Sequence, residues 1–342
     1  MAEYSPMMQH YLATKAEYKD CILFYRLGDF YEMFFDDALV VSKELELTLT
    51  GKDCGQEERA PMCGVPFHAA ETYINRLVSN GHKVAICEQM EDPKQAKGIV
   101  KREVIKVVTP GTNLNSQALD ETKNNYLMSI VYLGDVLGVA IADYSTGDFF
   151  VTEIKTGAEL IDEINKFVPS EIILNEYFAM SGIDLTFISE KLSISVSTLE
   201  NWYFDDDSCK AKLKEHFHVN MLDGLGIKDY PVGIDAAGAL LIYLTQTQKS
   251  DMSHITSIVP YTTGKYMLID SSSRRNLELV ETMREKQKKG SLLWVLDKTK
   301  TAMGARALRN LVLQPLINRD EIIRRQDAIE ELSDCLLYTS PS

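Results

Sequence analysis

The chain has 342 residues, enough for two or three domains that each bury a core of their own. Its hydrophobic fraction of 45% and its charged fraction of 25% are typical of a soluble globular protein. No apolar run is long enough to cross a bilayer, and Met1–Ser5 lacks the basic and apolar regions of a secretory signal. We therefore predict a cytoplasmic protein without a membrane span.

The net charge of -14 argues at first against a nucleic-acid partner, because phosphate binding requires lysine and arginine. The charge is unevenly distributed, however: residues 274–325 hold thirteen Lys and Arg against six Asp and Glu. An acidic protein can bind DNA through a local basic surface, so the net charge does not decide the question. The six cysteines are scattered without a C-x-x-C pair and are predicted to be reduced packing residues.

A first α/β unit is predicted over residues 1–115. Proline at the first helical position and acidic residues in a first turn mark its helix starts, and Asn80-Gly81 marks a helix end. The predicted elements, in chain order, are a helix from Ser5-Pro6 to about Tyr18, a strand Ile22–Tyr25, a turn Leu27–Asp29, a helix opened by Asp36 and Asp37 and ending at Leu45, a helix Ala69–Ser79, and strands Lys83–Met90 and Glu103–Val108.

A second α/β unit is predicted over residues 116–255. It opens with three strands in meander order, separated by the turn signals Gly134-Asp135 and Ser145-Thr146-Gly147. Its predicted elements are strands Tyr126–Leu133, Val136–Ala142 and Asp148–Glu153, helix Ala158–Phe167, strand Glu171–Leu174, helix Ser208–Phe217 and the alanine-rich helix Ala236–Thr247.

Residues 256–334 are predicted to be mainly helical, with basic faces. The last eight residues, 335–342, do not continue the charged amphipathic pattern of Arg324–Glu331. We interpret them as a foreign or frame-shifted tail on an interrupted helix, and hence expect a truncated gene product.

The most informative stretch of the chain is Gly28–Phe34. It places the bare aromatic Phe30 two residues before a lone carboxylate, Glu32, directly after an apolar strand and a glycine. An aromatic ring on a tight turn can be inserted between stacked bases as a wedge, and a neighbouring hydrogen-bonding group can then test the disturbed base. Without further context, a phenylalanine at such a junction is more often a core residue. Tyr31 points to the opposite face of an extended segment and is predicted to pack in the core.

An ordered series of motifs extends this observation, and the chain resembles the MutS family of DNA mismatch-repair proteins over residues 1–334. The series is more specific than any one of its members. The motifs that carry the resemblance are Tyr25–Glu32, Phe34–Ala38, Pro61–Ala69, Val84–Gln89, Asp92-Pro93, Val107–Thr112, Asp270–Leu279 and Thr301–Leu316.

The resemblance implies a multidomain α/β fold: a mixed-sheet mismatch-binding domain, a ribonuclease-H-like connector, and the start of an all-α lever domain. It implies that the partner is double-stranded DNA with mismatches or small loops. Phe30 would be the intercalating aromatic and Glu32 the carboxylate that contacts the displaced base. Lys52 would contact phosphate and Met62 a groove wall, although an ordinary surface or core role is the alternative for both.

The same resemblance implies properties of a longer protein. Family members carry an ATPase domain that uses ATP and Mg²⁺, a dimerisation region, and a downstream partner of the MutL type. Neither Thr50–Asp53 nor Thr263–Tyr266 has the G-x-x-x-x-G-K-[ST] spacing of a phosphate-binding loop. We therefore expect no catalytic site and no cofactor in this chain, and homodimerisation only in a full-length form.

Two alternatives come from other classes of function. Asp143 ends a central strand and Asp148 follows the next turn, so paired carboxylates in a ribonuclease-H-like fold could hold metal ions and cleave a phosphodiester. Acidic residues at strand ends are, however, commonly turn formers, and no clear third and fourth ligand is present. The chain could also act only on protein partners through the connector.

Overall fold

A computed structural model describes residues 4–91, 100–113, 122–264, 266–267 and 269–334. The first unit is built around a six-stranded mixed sheet in the order β3-β4-β2-β1-β5-β6, in which only β1 and β5 are parallel. Its elements are α1 (Pro6–Glu17), β1 (Cys21–Leu27), β2 (Phe30–Phe34), α2 (Phe35–Glu44), β3 (Thr50–Lys52), β4 (Ala60–Pro66), α3 (Ala70–Ser79), β5 (Lys83–Gln89) and β6 (Arg102–Val108).

Strands β2, β3 and β4 were not predicted from the sequence. The predicted elements left Phe30–Phe34 between the turn Leu27–Asp29 and the helix opened by Asp36 and Asp37, with Tyr31 on an extended segment; the segment is a strand that pairs with β1 on one side and β4 on the other. Strand β4 contains proline and glycine, which weaken a strand pattern when the segment is considered alone. Pairing with neighbouring strands stabilises all three segments.

Helix α1 covers one face of this sheet, and α2 and α3 cover the other. On the α1 face, Tyr11 packs edge-on against Tyr25 and Phe34 with ring centroids 5.5 and 4.9 Å apart. Asp37 lies in the first turn of α2, as predicted, and it is also buried, where it accepts hydrogen bonds from the Leu23 amide at 2.9 Å and the Lys15 ammonium at 2.8 Å. Asp37 thus links α1 and β1 to the start of α2.

The second unit has another six-stranded sheet, in the order β11-β10-β7-β8-β9-β12. The predicted meander of β7, β8 and β9 is confirmed, and β10 and β11 then add in parallel beside β7. The elements are β7 (Tyr126–Leu133), β8 (Val136–Asp143), β9 (Asp148–Ile154), α4 (Gly157–Phe167), β10 (Glu171–Asn175), α5 (Thr186–Leu192), β11 (Ser195–Leu199), α6 (Asp206–Phe217), α7 (Pro231–Gln248) and β12 (Val259–Pro260).

Helix α7 forms the centre of the second unit and is buried along most of its length. It lies unusually close to β8, because Gly138 has no side chain: a Cβ there would come within 2.1 Å of the Val232 carbonyl oxygen. The N-terminal amides of the helix, those of Val232 and Gly233, donate to the Glu153 carboxylate at 2.6 and 2.9 Å. A carboxylate at this position also complements the helix dipole.

The third region is helical, as predicted, and contains α8 (Ser271–Asn276), α9 (Leu292–Leu296), α10 (Ala302–Leu313) and α11 (Arg319–Asp334). An irregular segment separates α8 from α9, and α11 has no buried residue. The Asp92-Pro93 motif and the predicted tail 335–342 lie outside the described residues. The expected fold class, a multidomain α/β protein with a helical C-terminal region, is confirmed.

The cysteine prediction is confirmed within the described ranges, where the cysteines are free and buried. Burial raises the pKa of the Cys21 and Cys87 thiols to about 12, so both stay protonated and inert at neutral pH. Among the described helices, none is both long and apolar enough to cross a membrane.

Candidate nucleic-acid interface

The ring of Phe30 lies at the end of an interior strand of the first sheet, at the tight hairpin between β1 and β2. Gly28 occupies this turn with a φ of 59°, a conformation that most other residues adopt only with strain. Phe30 itself is the first residue of β2 and pairs with Leu27 and Pro66. Its side chain is 46% exposed, which is high for a phenylalanine. We call residues Gly28–Phe30 the wedge turn.

Glu32 and Phe30 lie on the same face of β2, since side chains alternate along a strand. Gly64 on β4 pairs with Glu32, and a Cβ at Gly64 would come 3.2 Å from the Tyr31 carbonyl oxygen. The Glu32 carboxylate forms an ion pair with the Lys52 ammonium at 2.5 Å, and its side chain is 15% exposed. The carboxylate is therefore half-buried, and the Lys52 ammonium neutralises its charge.

The remaining two predicted site residues lie on the same part of the sheet. Lys52 reaches from β3 across β4 to Glu32, and its ammonium is also 5.7 Å from the centre of the Phe34 ring. Met62 pairs with Phe34 and Thr50, is half-buried, and packs against the core beneath α1. The structure thus brings Phe30, Glu32, Lys52 and Met62 onto one surface. Tyr31 is buried on the opposite face, as predicted.

Sequence reasoning missed two residues beside the wedge turn, Arg26 and Phe67. The Arg26 guanidinium lies 3.8 Å from the centre of the Phe67 ring, which is 44% exposed. Nothing in the local pattern places these residues together, because they are 41 positions apart in the sequence. The available signal was that both residues lie in motifs that carry the resemblance, Tyr25–Glu32 and Pro61–Ala69.

Three basic residues, Lys101, Arg102 and Lys106, lie on or beside β6. Arg102 is buried and donates to the backbone oxygens of Arg26 and Val100, both at 2.8 Å. Lys106 is half-buried, and desolvation lowers the pKa of its ammonium. Lys101 is exposed, and its ammonium pairs with Glu103 at 2.7 Å. Arg102 therefore supports strand β1 rather than DNA.

Asp143, the centre of the nuclease alternative, is completely buried at the end of β8. One carboxylate oxygen accepts from the amide and hydroxyl of Ser145 at 2.8 and 2.6 Å. The other accepts from the Asn124 side chain at 2.8 Å and the Asn125 amide at 3.1 Å. Its lone pairs are taken by protein donors, and no group of three metal-ligating side chains is found in the described ranges. The geometry gives Asp143 a structural role and offers the nuclease alternative no support.

We predict that Asp143→Ala lowers the free energy of unfolding by about 2–3 kcal/mol, because buried donors lose their acceptor. Urea unfolding measures this change, and Asp251→Ala, at an exposed position of the second unit, is the matched control. An unchanged midpoint would contradict the structural role. Magnesium-dependent DNA cleavage that disappears in Asp143→Asn would restore the nuclease alternative.

Taken together, two mixed sheets with packed helices and a helical C-terminal region define a multidomain α/β protein with an exposed aromatic turn on its first sheet. Three family models match it in order: MutS domain I over residues 5–117, MutS domain II over 125–256 and MutS domain III over 272–340. The chain belongs to the MutS family.

Curated relatives agree with this assignment. The chain is 65% identical over 98% of its length to the DNA mismatch repair protein MutS of Lachnoclostridium phytofermentans. It is 56% and 53% identical, over 98% and 99% of its length, to the proteins of the same name from Ruminiclostridium cellulolyticum and Acetivibrio thermocellus. The chain spans 36%, 38% and 39% of the length of these three relatives.

Proposed function

We propose that this chain recognises mismatched or unpaired bases in double-stranded DNA, as the first step of mismatch repair. The observation that carries the proposal is the placement of an exposed aromatic ring and a carboxylate on one sheet face, two residues apart, at a tight hairpin. The names of the curated relatives support the same process. The reaction class is binding and deformation of DNA, with no covalent step in these residues.

The energetics favour discrimination by a wedge. Inserting a side chain between base steps costs a few kcal/mol of stacking and kinks the duplex toward the major groove. That cost is smallest where pairing is already weak, so a mispair admits the Phe30 ring more readily than a matched pair does. The exposed ring in the free chain needs no unfolding of the sheet before insertion.

Glu32 is proposed to contact the displaced base, and Lys52 to control its charge. A bare carboxylate near DNA would be repelled by the phosphates. The Lys52 ammonium offsets this repulsion through the ion pair. A carboxylate can also accept a hydrogen bond from a base N–H, and a displaced base exposes Watson–Crick N–H groups that are occupied in a matched pair. In the same arrangement, Lys52 also approaches phosphate and Met62 lines the groove wall.

The domain division also remains a proposal: a mismatch-recognition domain (1–115), a connector (116–255), the start of a lever domain (256–334) and a tail (335–342). For a longer protein of this family we propose an ATPase that uses ATP and Mg²⁺, a homodimer, and a partner of the MutL type. A cytoplasmic location stays a prediction.

The experiment that tests the proposal is fluorescence-anisotropy binding of the chain to matched and G·T-mismatched duplexes at two salt concentrations. We expect tighter binding to the mismatched duplex at both. Phosphate contacts alone would weaken with salt equally for the two duplexes. Equal affinities at both salt concentrations would contradict mismatch recognition by this chain.

We predict that Glu32→Ala raises affinity for matched DNA about threefold to tenfold, because a negative charge is removed and Lys52 is released toward phosphate. Discrimination should fall, since the contact to the displaced base is lost. Binding to both duplexes by anisotropy measures the two effects.

Asp29→Asn is the matched control for Glu32→Ala, since Asp29 is exposed on the same turn and carries the same charge. It should raise affinity for both duplexes and leave their ratio unchanged. Equal losses of affinity in Glu32→Ala would contradict the proposed role of the carboxylate.

A further inference from the structure

The wedge turn is fastened through the backbone carbonyls of both its turn residues. The Arg26 Nε donates to the Gly28 carbonyl at 2.5 Å. The Phe67 amide donates to the Asp29 carbonyl at 2.9 Å. The first bond comes from a side chain of β1 and the second continues the pairing of β2 with β4, so the turn is held from both neighbouring strands.

Arg26 is itself held from several sides. Its guanidinium lies 3.8 Å from the centre of the Phe67 ring and 5.5 Å from that of Tyr31. It forms an ion pair with Glu88 at 3.4 Å, and its side chain is only 15% exposed. The same Glu88 oxygen accepts from the Tyr31 hydroxyl, and burial together with this carboxylate raises the pKa of Tyr31, so that the hydroxyl stays a donor.

The position of this group relative to Phe30 is informative. Arg26 pairs with Tyr31, so both lie on the face of the sheet opposite to Phe30 and Glu32. Phe67 follows the β4 residue that pairs with Phe30, and places its ring behind the same turn. The Arg26–Phe67 stack therefore lies behind the wedge, where it would resist displacement of the ring.

Resistance of this kind matters for a wedge. Insertion works against stacking energy of a few kcal/mol, and a turn that yields would let the ring fold back instead of opening the base step. Positioning a group in advance reduces the ordering that binding must supply. A planar, forked guanidinium suits this purpose, because it can stack on an aromatic ring and donate in its own plane at the same time.

We infer that Arg26 and Phe67 are positioning residues that hold the wedge turn rigid, and that mismatch discrimination depends on them although neither is the wedge. The inference rests on the proposed function of Phe30. It predicts that loosening the stack weakens discrimination more than it weakens binding to matched DNA.

The test uses Arg26→Met and Phe67→Leu in the full chain. Loss of the cation–π contact and of the charge-assisted hydrogen bond should let the turn yield, so we expect the G·T-to-matched affinity ratio to fall about fivefold to tenfold, the equivalent of about 1.0–1.4 kcal/mol. Arg284→Met and Phe187→Leu are the controls, since both residues are exposed and distant in sequence from the turn. These controls should leave the ratio unchanged. Phe67→Tyr should retain the ratio, and Arg26→Lys should not, because lysine lacks the planar fork.

Hydrogen exchange of the backbone amide at position 67, measured on the protein without DNA, reports the rigidity of the turn independently of DNA binding. This amide donates to Asp29, and its exchange should accelerate about tenfold in Arg26→Met and Phe67→Leu if the turn loosens by roughly 1.4 kcal/mol. Unchanged exchange in both variants would overturn the inference.

An unchanged affinity ratio, despite faster exchange, would equally overturn the link to recognition. Failure of the proposed function gives a different result. The unmodified chain would then show no mismatch preference, while amide exchange still reports whether the stack holds the turn.

Discussion

Replacing Phe30 with alanine is expected to abolish the preference for mismatched DNA while leaving the fold intact. Insertion of the Phe30 ring between base steps costs least at a mispair. Removal of the ring should therefore lower affinity for a G·T duplex at least tenfold, the equivalent of about 1.4 kcal/mol. Affinity for matched DNA should change little, since it depends on phosphate contacts. Anisotropy titrations of both duplexes measure the ratio directly.

Because Phe30 is exposed, its replacement should affect DNA binding without a large loss of protein stability. Because the ring is 46% exposed, its truncation should change the free energy of unfolding by no more than about 1 kcal/mol. Phe187→Ala, which removes a more exposed ring from the second unit, is the matched control. Phe30→Tyr should keep most of the preference, since a ring remains available for insertion. A mismatch preference that survives in Phe30→Ala would refute the wedge.

The second large effect is expected at Glu171, whose carboxylate is fully buried where the first two units meet. It accepts from the Thr109 hydroxyl at 2.5 Å and the Gly111 amide at 3.1 Å, both on the segment after β6. It also accepts from the Tyr243 hydroxyl of α7 at 2.6 Å, and the Lys83 ammonium is 3.9 Å away. One carboxylate thus ties the first sheet to the central helix of the second unit.

We predict that Glu171→Ala lowers the free energy of unfolding by about 3–5 kcal/mol, because it leaves buried donors and a nearby cation without their partner. Urea unfolding measures the loss, with Glu190→Ala at an exposed position of the second unit as the control. If the junction opens, hydrogen exchange of the Gly111 amide should accelerate by the factor that corresponds to the same loss of free energy. A midpoint equal to that of the control would contradict the role of Glu171 at the junction.

The stability of this junction should also depend on pH. Burial, then the neighbouring Glu171 charge, raises the pKa of Tyr243 well above that of a free tyrosine. A group whose pKa is raised on folding stabilises the folded state below its unfolded pKa, here about 10. Stability should therefore fall as the pH rises above about 10, and Tyr243→Phe should reduce the steepness of that fall.

Elements with a strong periodic pattern were predicted correctly from the sequence. Helix α3 was predicted to end at Ser79 and does so, because Asn80-Gly81 stops a helix wherever it occurs. The meander β7–β9 follows from runs of β-branched and aromatic residues separated by turn residues. The family resemblance, confirmed by three domain models, came from ordered motifs that need no coordinates.

Elements stabilised by partners distant in sequence were not predictable. Strand β4 contains proline and glycine and has little intrinsic preference, and it forms because β2 and β3 pair with it. Asp37 is in the first turn of α2, as predicted, but the local pattern did not show that it is also a buried acceptor for α1 and β1. Such choices depend on pairing energy, which a local pattern does not contain.

The same division holds for the candidate interface. Composition and motif order selected Phe30 and Glu32, and alternation along a strand placed Tyr31 in the core. Only the tertiary structure decided that Lys52 neutralises Glu32 and that Arg26 stacks on Phe67 behind the wedge turn. The physical reason is that charge pairing and stacking act over a few ångströms in space, between residues that the fold brings together from separate strands.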